Sequence, residues 1–287
     1  MDPLALPLVD CHAHLYPPNF ESDEIDAIVL QAERDQVSAI VVVPEFPDDI
    51  QTVQMLAKKN AVIHAAVGLH PVQKGPLPTL TETPIAPHQP RSIQLSEFAF
   101  LEALDFSALS RVVCIGECGL DYSPHILNTL LPIASVEQQK EVQAAVFQKH
   151  IDLAKSQSLP LNIHSRSAGH YAVDMVIQNN VAASSLLHAF DGKPSHALQA
   201  CSHGAFFSVA PIVVRSPHLQ KLVKELPLTN LVLETDAPAL GPEKGVPNHP
   251  SNLALAACEI AKIKGIPVAQ VAQITTENAH RLFRMEK

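Results

Sequence analysis

Eight short apolar runs, spaced by helix-length segments, constrain this chain more than any other feature. They are LVDCHAHL (8–15), AIVVVP (39–44), AVIHAAVGLHP (61–71), RVVCIGECGLD (111–121), LPLNIHSR (159–166), ASSLLHAF (183–190), GAFFSVAP (204–211) and NLVLETDAP (230–238). Helical periodicity marks intervening segments such as EIDAIVLQAERDQ, DDIQTVQMLAKKN, SEFAFLEALDFSALS and SVEQQKEVQAAVFQKHIDLAKSQS. Near-continuous apolar strands joined by helices form parallel sheets buried on both faces. Eight such units in 287 residues predict one α/β domain over 1–287, a (β/α)8 TIM-type barrel with extended loops at its C-terminal face. A doubly wound open sheet is the other arrangement, but no G-x-G-x-x-G follows the first run.

Two stretches interrupt the alternation. Residues 71–92 hold six prolines, at 71, 76, 78, 84, 87 and 90, and predict a long loop without helix or sheet. Residues 122–135 predict a second loop, ending where Ser135 caps a helix with Gln138 at its third position. The last segment reads as two helices split by Gly265 and Pro267.

Composition narrows the function. Twenty Lys and Arg against 29 Asp and Glu give a net charge of −9, a poor electrostatic host for nucleic acid in general. A phosphate substrate then needs local positive charge, from a few Arg or Lys or from bound metal. Five scattered cysteines do not form a disulfide framework and fit a reducing compartment. No apolar run reaches membrane-span length, and the opening MDPLALPLVD lacks a positive n-region. These signs predict a cytoplasmic or nuclear protein that is not secreted and does not enter a membrane. No protein partner is inferred.

Histidine is the unusual residue, with 15 dispersed along the chain. Strand periodicity puts Asp10, His12 and His14 on one face and Val9, Cys11 and Ala13 on the other. Polar side chains on a buried face need water, hydrogen-bond partners or a metal. The carboxyl ends of the other runs supply His70, Glu117 and Asp121, His164 and Arg166, His188, and Glu234 and Asp236. In a barrel these ends share one mouth. Four histidines and two carboxylates, His12, His14, His164, His188, Glu117 and Asp236, could supply two divalent ions with three or four ligands each. Glu117 is central and could bridge them.

The motifs VDCHAHL, GLHP, IGECGLD, NIHSR, LLHAFDG and LETDAP, in this order, resemble the TatD family of metal-dependent deoxyribonucleases, within the amidohydrolase-like barrels. HSRSAG, HAFDG and ETDAPALGPEK look most like the branch of TatD domain-containing protein 3. The resemblance implies two, sometimes three, divalent ions. His12, His14, Glu117 and Asp236 would take the first and Glu117, His164 and His188 the second. Zinc suits such donors, and magnesium or manganese are also accepted. After ETDAP the family commonly has Arg-Asn-Glu-Pro. Here VPNHP keeps Asn248 but puts Pro247 and His249 at the flanking positions, leaving open any substrate or third-ion role there.

The implied reaction is hydrolysis of a phosphodiester by a metal-activated water, with exonuclease-like action on DNA that is single-stranded or held at an end. Asp236 is the candidate for orienting the water and taking its proton, and Glu117 for the bridge. His70 and Arg166 are candidates for holding phosphate oxygens, and Asp121 and Glu234 for orienting ligand imidazoles. Asn162 and Ser165 are read as backbone support. Two other readings stand beside this one. An amidohydrolase would cleave a C–N or lactone bond, although the carboxylated lysine common in such barrels has no counterpart in GECGLD or NIHSR. A non-catalytic scaffold would show eroded ligands.

Overall fold

The computed structural model describes residues 7–75, 89–127 and 135–285. Among the described residues there are ten strands: β1 (Leu8–Ala13), β2 (Val37–Val42), β3 (Ile63–Val67), β4 (Val72–Lys74), β5 (Pro90–Ser92), β6 (Val112–Gly119), β7 (Leu161–His164), β8 (Ser185–Leu187), β9 (Phe206–Val209) and β10 (Leu231–Leu233). Eight of them close a barrel in the order β1-β10-β9-β8-β7-β6-β3-β2. All its pairings are parallel, and Asp10 opposite Leu233 joins its first and last strands. Each barrel strand lies within one of the eight apolar runs or overlaps it. The closed order excludes the open sheet.

Packing sorts the strand residues into two layers. Leu8, Ile40, Ile63, Ile115, Leu161, Leu187, Phe207 and Leu231 join the large core shared with the helices. Val9, Cys11, Val41, Ala66, Cys114, Leu186, Phe206 and Val232 form a second core inside the barrel. Ala279, Leu282 and Phe283 of the last helix, Val268–Phe283, pack against that interior and stop one end. The opposite end is left for the polar strand termini.

The helices follow local chemistry. Ile25, Ile28, Val29 and Ala32 recur on one buried face of Ile25–Arg34. Ser135 and Gln138 form the expected capping box on Val136–Gln157. Gly265, at φ 67°, ends Leu253–Lys264, as the split C-terminal pattern requires.

Three expectations need correction. The ends of the proline-rich segment are not all loop: β4 and β5 pair as an antiparallel ribbon, with Val72 opposite Ser92. Residues 76–88 between them lie outside the described residues, as do 128–134 of the second expected loop and 1–6 of the opening. The segment SEFAFLEALDFSALS is not one helix. It breaks into Leu95–Phe98, Ala99–Glu102 and Phe106–Ala108, where the Asp105 carboxylate accepts from the Ser107 N–H and starts a new turn. Strict alternation also fails along β1. Its pairing with β2 shifts register between Asp10 and Ala13, so Ala13 joins the outer layer while Val9 and Cys11 face inward. No described helix is long and apolar enough to cross a membrane.

Candidate metal centre

The carboxyl ends of the barrel strands surround a cavity of about 540 Å³. His14, His70, Glu117, Asp121, His164, Arg166, His188, Glu234 and Asp236 all line it. His12 lies directly beneath, fully buried, with its Nε2 3.1 Å from His14 Nε2. Every residue singled out for metal, substrate or orientation therefore comes to one mouth.

Glu117 is the hub. Its Oε2 lies 3.4 Å from His12 Nε2 and 3.4 Å from His14 Nε2. Its Oε1 faces His188 Nε2 at 2.9 Å, His164 Nδ1 at 3.0 Å and His70 Nε2 at 3.4 Å. Burial opposes the charge on this carboxylate, but His70, His188 and His12 outweigh it and hold its pKa well below the usual range. Asp236 Oδ1 completes the first group, 3.7 Å from His12 and 3.4 Å from His14. Burial lowers the affinity of His14 for a proton, yet Asp236 and Glu117 raise its pKa to about 9.

The tautomers follow from the partners of each ring. His12 Nδ1 lies 2.9 Å from Asn162 Oδ1, and the Asn162 amide is fixed by donating to the Cys11 carbonyl at 3.0 Å. His12 thus carries its proton on Nδ1. His14 Nδ1 donates to the Val43 carbonyl at 2.8 Å. When both rings are neutral, their Nε2 lone pairs point at one place, beside two carboxylates. Such a convergence calls for a proton or a cation between the rings and carboxylates, and imidazole with carboxylate is a donor set for a divalent metal. His188 Nδ1 and Glu234 Oε2 add two buried atoms, 3.6 Å apart, without a hydrogen-bond partner among the described residues. The residues fit divalent metal.

His70 differs. Its Nδ1 lies 3.0 Å from the Val72 N–H and 3.2 Å from the Val72 carbonyl, so either tautomer finds a partner there, and its Nε2 faces Glu117 and the cavity. With Nε2–H it can donate toward an anion, and with Nδ1–H it can offer a ligand atom beside Glu117 and His164. The Arg166 side chain is exposed at the rim, with no hydrogen bond or ion pair among the described residues. Asp121 Oδ2 meets His164 Nε2 at 3.0 Å. Glu234 Oε1 accepts from the Ala189 N–H at 3.0 Å and so fixes the turn after His188.

Some positions serve differently from the sequence reading. Asp10 shares no part of the metal face. Its Oδ1 accepts from the Thr235 N–H at 2.8 Å and its Oδ2 from the Thr235 hydroxyl at 2.5 Å, tying β1 to the residue before Asp236. Asn248 donates to the Thr235 carbonyl at 2.7 Å. Asp236 itself sits at φ 52°, its N–H donating to the His12 carbonyl at 2.8 Å. Asn162 is more than backbone support, because it sets the tautomer of His12. The signal was present: Asn162 alternates with His164 on β7. Pro247 and His249 line a separate cavity with Phe20, whose ring meets His249 edge-on at 5.5 Å.

Gly119 explains how the strands draw so close. It adopts φ +130°, and a Cβ there would lie 2.1 Å from the His164 carbonyl oxygen.

Comparison with known proteins identifies the family and the fold. Residues 9–284 match the model of the family described as TatD related DNase. Deoxyribonuclease TATDN3 of Homo sapiens is 41% identical over 277 residues, covering 96% of this chain and 94% of that protein. A metal-dependent hydrolase of Bacillus subtilis, YabD, is 31% identical over 97% of this chain and 99% of its own. The crystal structure of YJJV, a TatD homologue from Escherichia coli, superposes with a TM-score of 0.78 at 25% identity, covering 97% of this chain and 98% of that one. This chain belongs to the TatD-related DNase family.

Proposed function

We propose that this chain is a metal-dependent phosphodiester hydrolase, a deoxyribonuclease that works on DNA as a single strand or from an end. The observation that carries this reading is the division of labour at Glu117. One oxygen faces His12 and His14, and the other faces His164 and His188. Glu117 with His12, His14 and Asp236 would hold one divalent ion, and with His164 and His188 a second. When bound, such a pair supplies a nucleophilic water at neutral pH and Lewis acidity toward the phosphoryl oxygens. Zinc is the first candidate for this donor set, with manganese and magnesium as alternatives. A third ion finds no support at Pro247 or His249, which line another cavity.

The residues would divide the remaining work. Asp236 orients the attacking water and accepts its proton. The His70 Nε2–H and the Arg166 guanidinium hold non-bridging phosphate oxygens. Asp121 and Asn162 keep His164 and His12 aimed. The cavity is of small-molecule size, enough for a terminal nucleotide but not for a duplex, which supports action at an end. The deoxyribonuclease name of the human relative supports DNA as the substrate. Five free thiols fit the cytoplasm or nucleus.

A substrate panel tests the proposal: single- and double-stranded DNA, RNA, a bis-aryl phosphodiester and a dihydroorotate-like amide, each with zinc, manganese or magnesium. Phosphodiester hydrolysis that favours single-stranded DNA is expected. Hydrolysis of the amide alone would reverse the assignment.

A further inference from the structure

We propose that four rings on the rim, Tyr122, Tyr171, His170 and His196, form a stacking track for the single-stranded stretch of a nucleic acid whose end enters the cavity. This rests on the phosphodiesterase reading above and extends it.

The chain has no tryptophan and three tyrosines. Tyr16 is buried beneath His14, its hydroxyl 3.0 Å from His14 Nδ1. The other two meet on the surface, with ring centroids 5.3 Å apart. Tyr171 is 46% exposed, a large ring left in water where burial is the ordinary outcome. The row continues from Tyr171 to His170 at 3.8 Å and on to His196 at 5.5 Å. Rings so spaced, His170 and Tyr171 exposed and Tyr122 and His196 half-buried, match the platforms on which successive bases stack.

The row starts at the cavity. Tyr122 follows Asp121, which lines it, and the Tyr122 N–H donates to the Arg166 carbonyl at 3.0 Å. Arg166 also lines the cavity and presents its guanidinium to solvent. Lys140 Nζ lies 5.4 Å from the centre of the Tyr122 ring. Cations therefore flank the cavity end of the row, where a phosphate backbone would leave. A net charge of −9 denies the chain long-range attraction for a polyanion. Stacking needs no net charge and accepts every base. A paired duplex hides its base faces, so the track selects single strands.

The absence of tryptophan supplies a direct readout, since tyrosine emission dominates the fluorescence. The full chain is titrated with a phosphorothioate deoxythymidylate decamer, with the matching duplex and with a deoxythymidylate dinucleotide. The decamer should quench tyrosine emission and bind about ten-fold more tightly than the dinucleotide. Tyr171→Leu should remove most of the quenching and the ten-fold advantage while dinucleotide hydrolysis stays unchanged; His170→Ala should weaken the decamer in the same direction. Decamer affinity indifferent to both substitutions, or binding without quenching, would overturn the track and return the rings to another role such as protein docking. Failure of the phosphodiesterase reading looks different: the dinucleotide is not hydrolysed, whatever the decamer does to the emission.

Discussion

Asp236 combines two tasks in the proposed reaction, and one substitution separates them. Asp236→Asn keeps shape and one oxygen but loses the proton acceptor. Turnover should fall by ~10²–10⁴-fold with little change in unfolding temperature, measured by initial rates and by thermal melts. Near-normal turnover would remove Asp236 from proton transfer. Asn162 gives a subtler case. Asn162→Ala leaves His12 Nδ1 without its acceptor and frees the ring to adopt the wrong tautomer. Metal affinity should drop ~10–100-fold in competition with a chelator, while the barrel stays folded. At this scale the sequence revealed which side chains meet but not how each is used. Motif order brought His12, Glu117, His164 and Asp236 together. It could not reveal that Asp10 binds Thr235 instead of facing metal, because a register shift in β1 changes which way each side chain points.

Individual elements show where the pattern succeeds and where it fails. Buried strands carry strong apolar runs, so all eight barrel strands were legible. The crossover before β6 was not, because its amphipathic spacing is cut by a local Asp105–Ser107 turn that periodicity ignores. The β4–β5 ribbon was hidden by proline, which sheet edges tolerate. Helix Val136–Gln157 adds a pH-dependent tie to the mouth. His150 on this helix accepts the Leu69 N–H at Nε2, 3.1 Å, and donates from Nδ1 to the Val146 carbonyl at 2.9 Å. Burial lowers its pKa to about 4 from an unfolded value of 6.5. The unfolded chain therefore binds this proton first as pH falls. The stabilisation is present above 6.5 and is lost between 6.5 and about 4, for a total of ~3 kcal/mol. Denaturant melts of metal-free protein across this range should show that slope, and His150→Gln should flatten it. An unchanged slope in the variant would assign the effect elsewhere. Gly119→Ala tests strand approach: its Cβ would collide with the His164 carbonyl, and soluble expression should collapse.

For the whole molecule, the centre is both function and fastening. Residues from six barrel strands and the loops beyond them meet around Glu117, so an ion held there would link distant parts of the chain. Ions that bind only the folded state stabilise it by mass action, ~2.7 kcal/mol per site at a hundred times the dissociation constant. Chelation should lower the unfolding temperature, and zinc should restore it. The acidic surface becomes intelligible on the same view. Bound ions would supply the positive field at the mouth, and the rest of the chain is free to stay negative. The most direct test is metal stoichiometry by elemental analysis after equilibration with zinc or manganese and removal of free ion. Two ions per chain are expected, and Glu117→Ala should weaken both sites together because its two oxygens face different groups of histidines. A chain that retains no divalent ion, or one whose content is indifferent to Glu117, would contradict the paired centre.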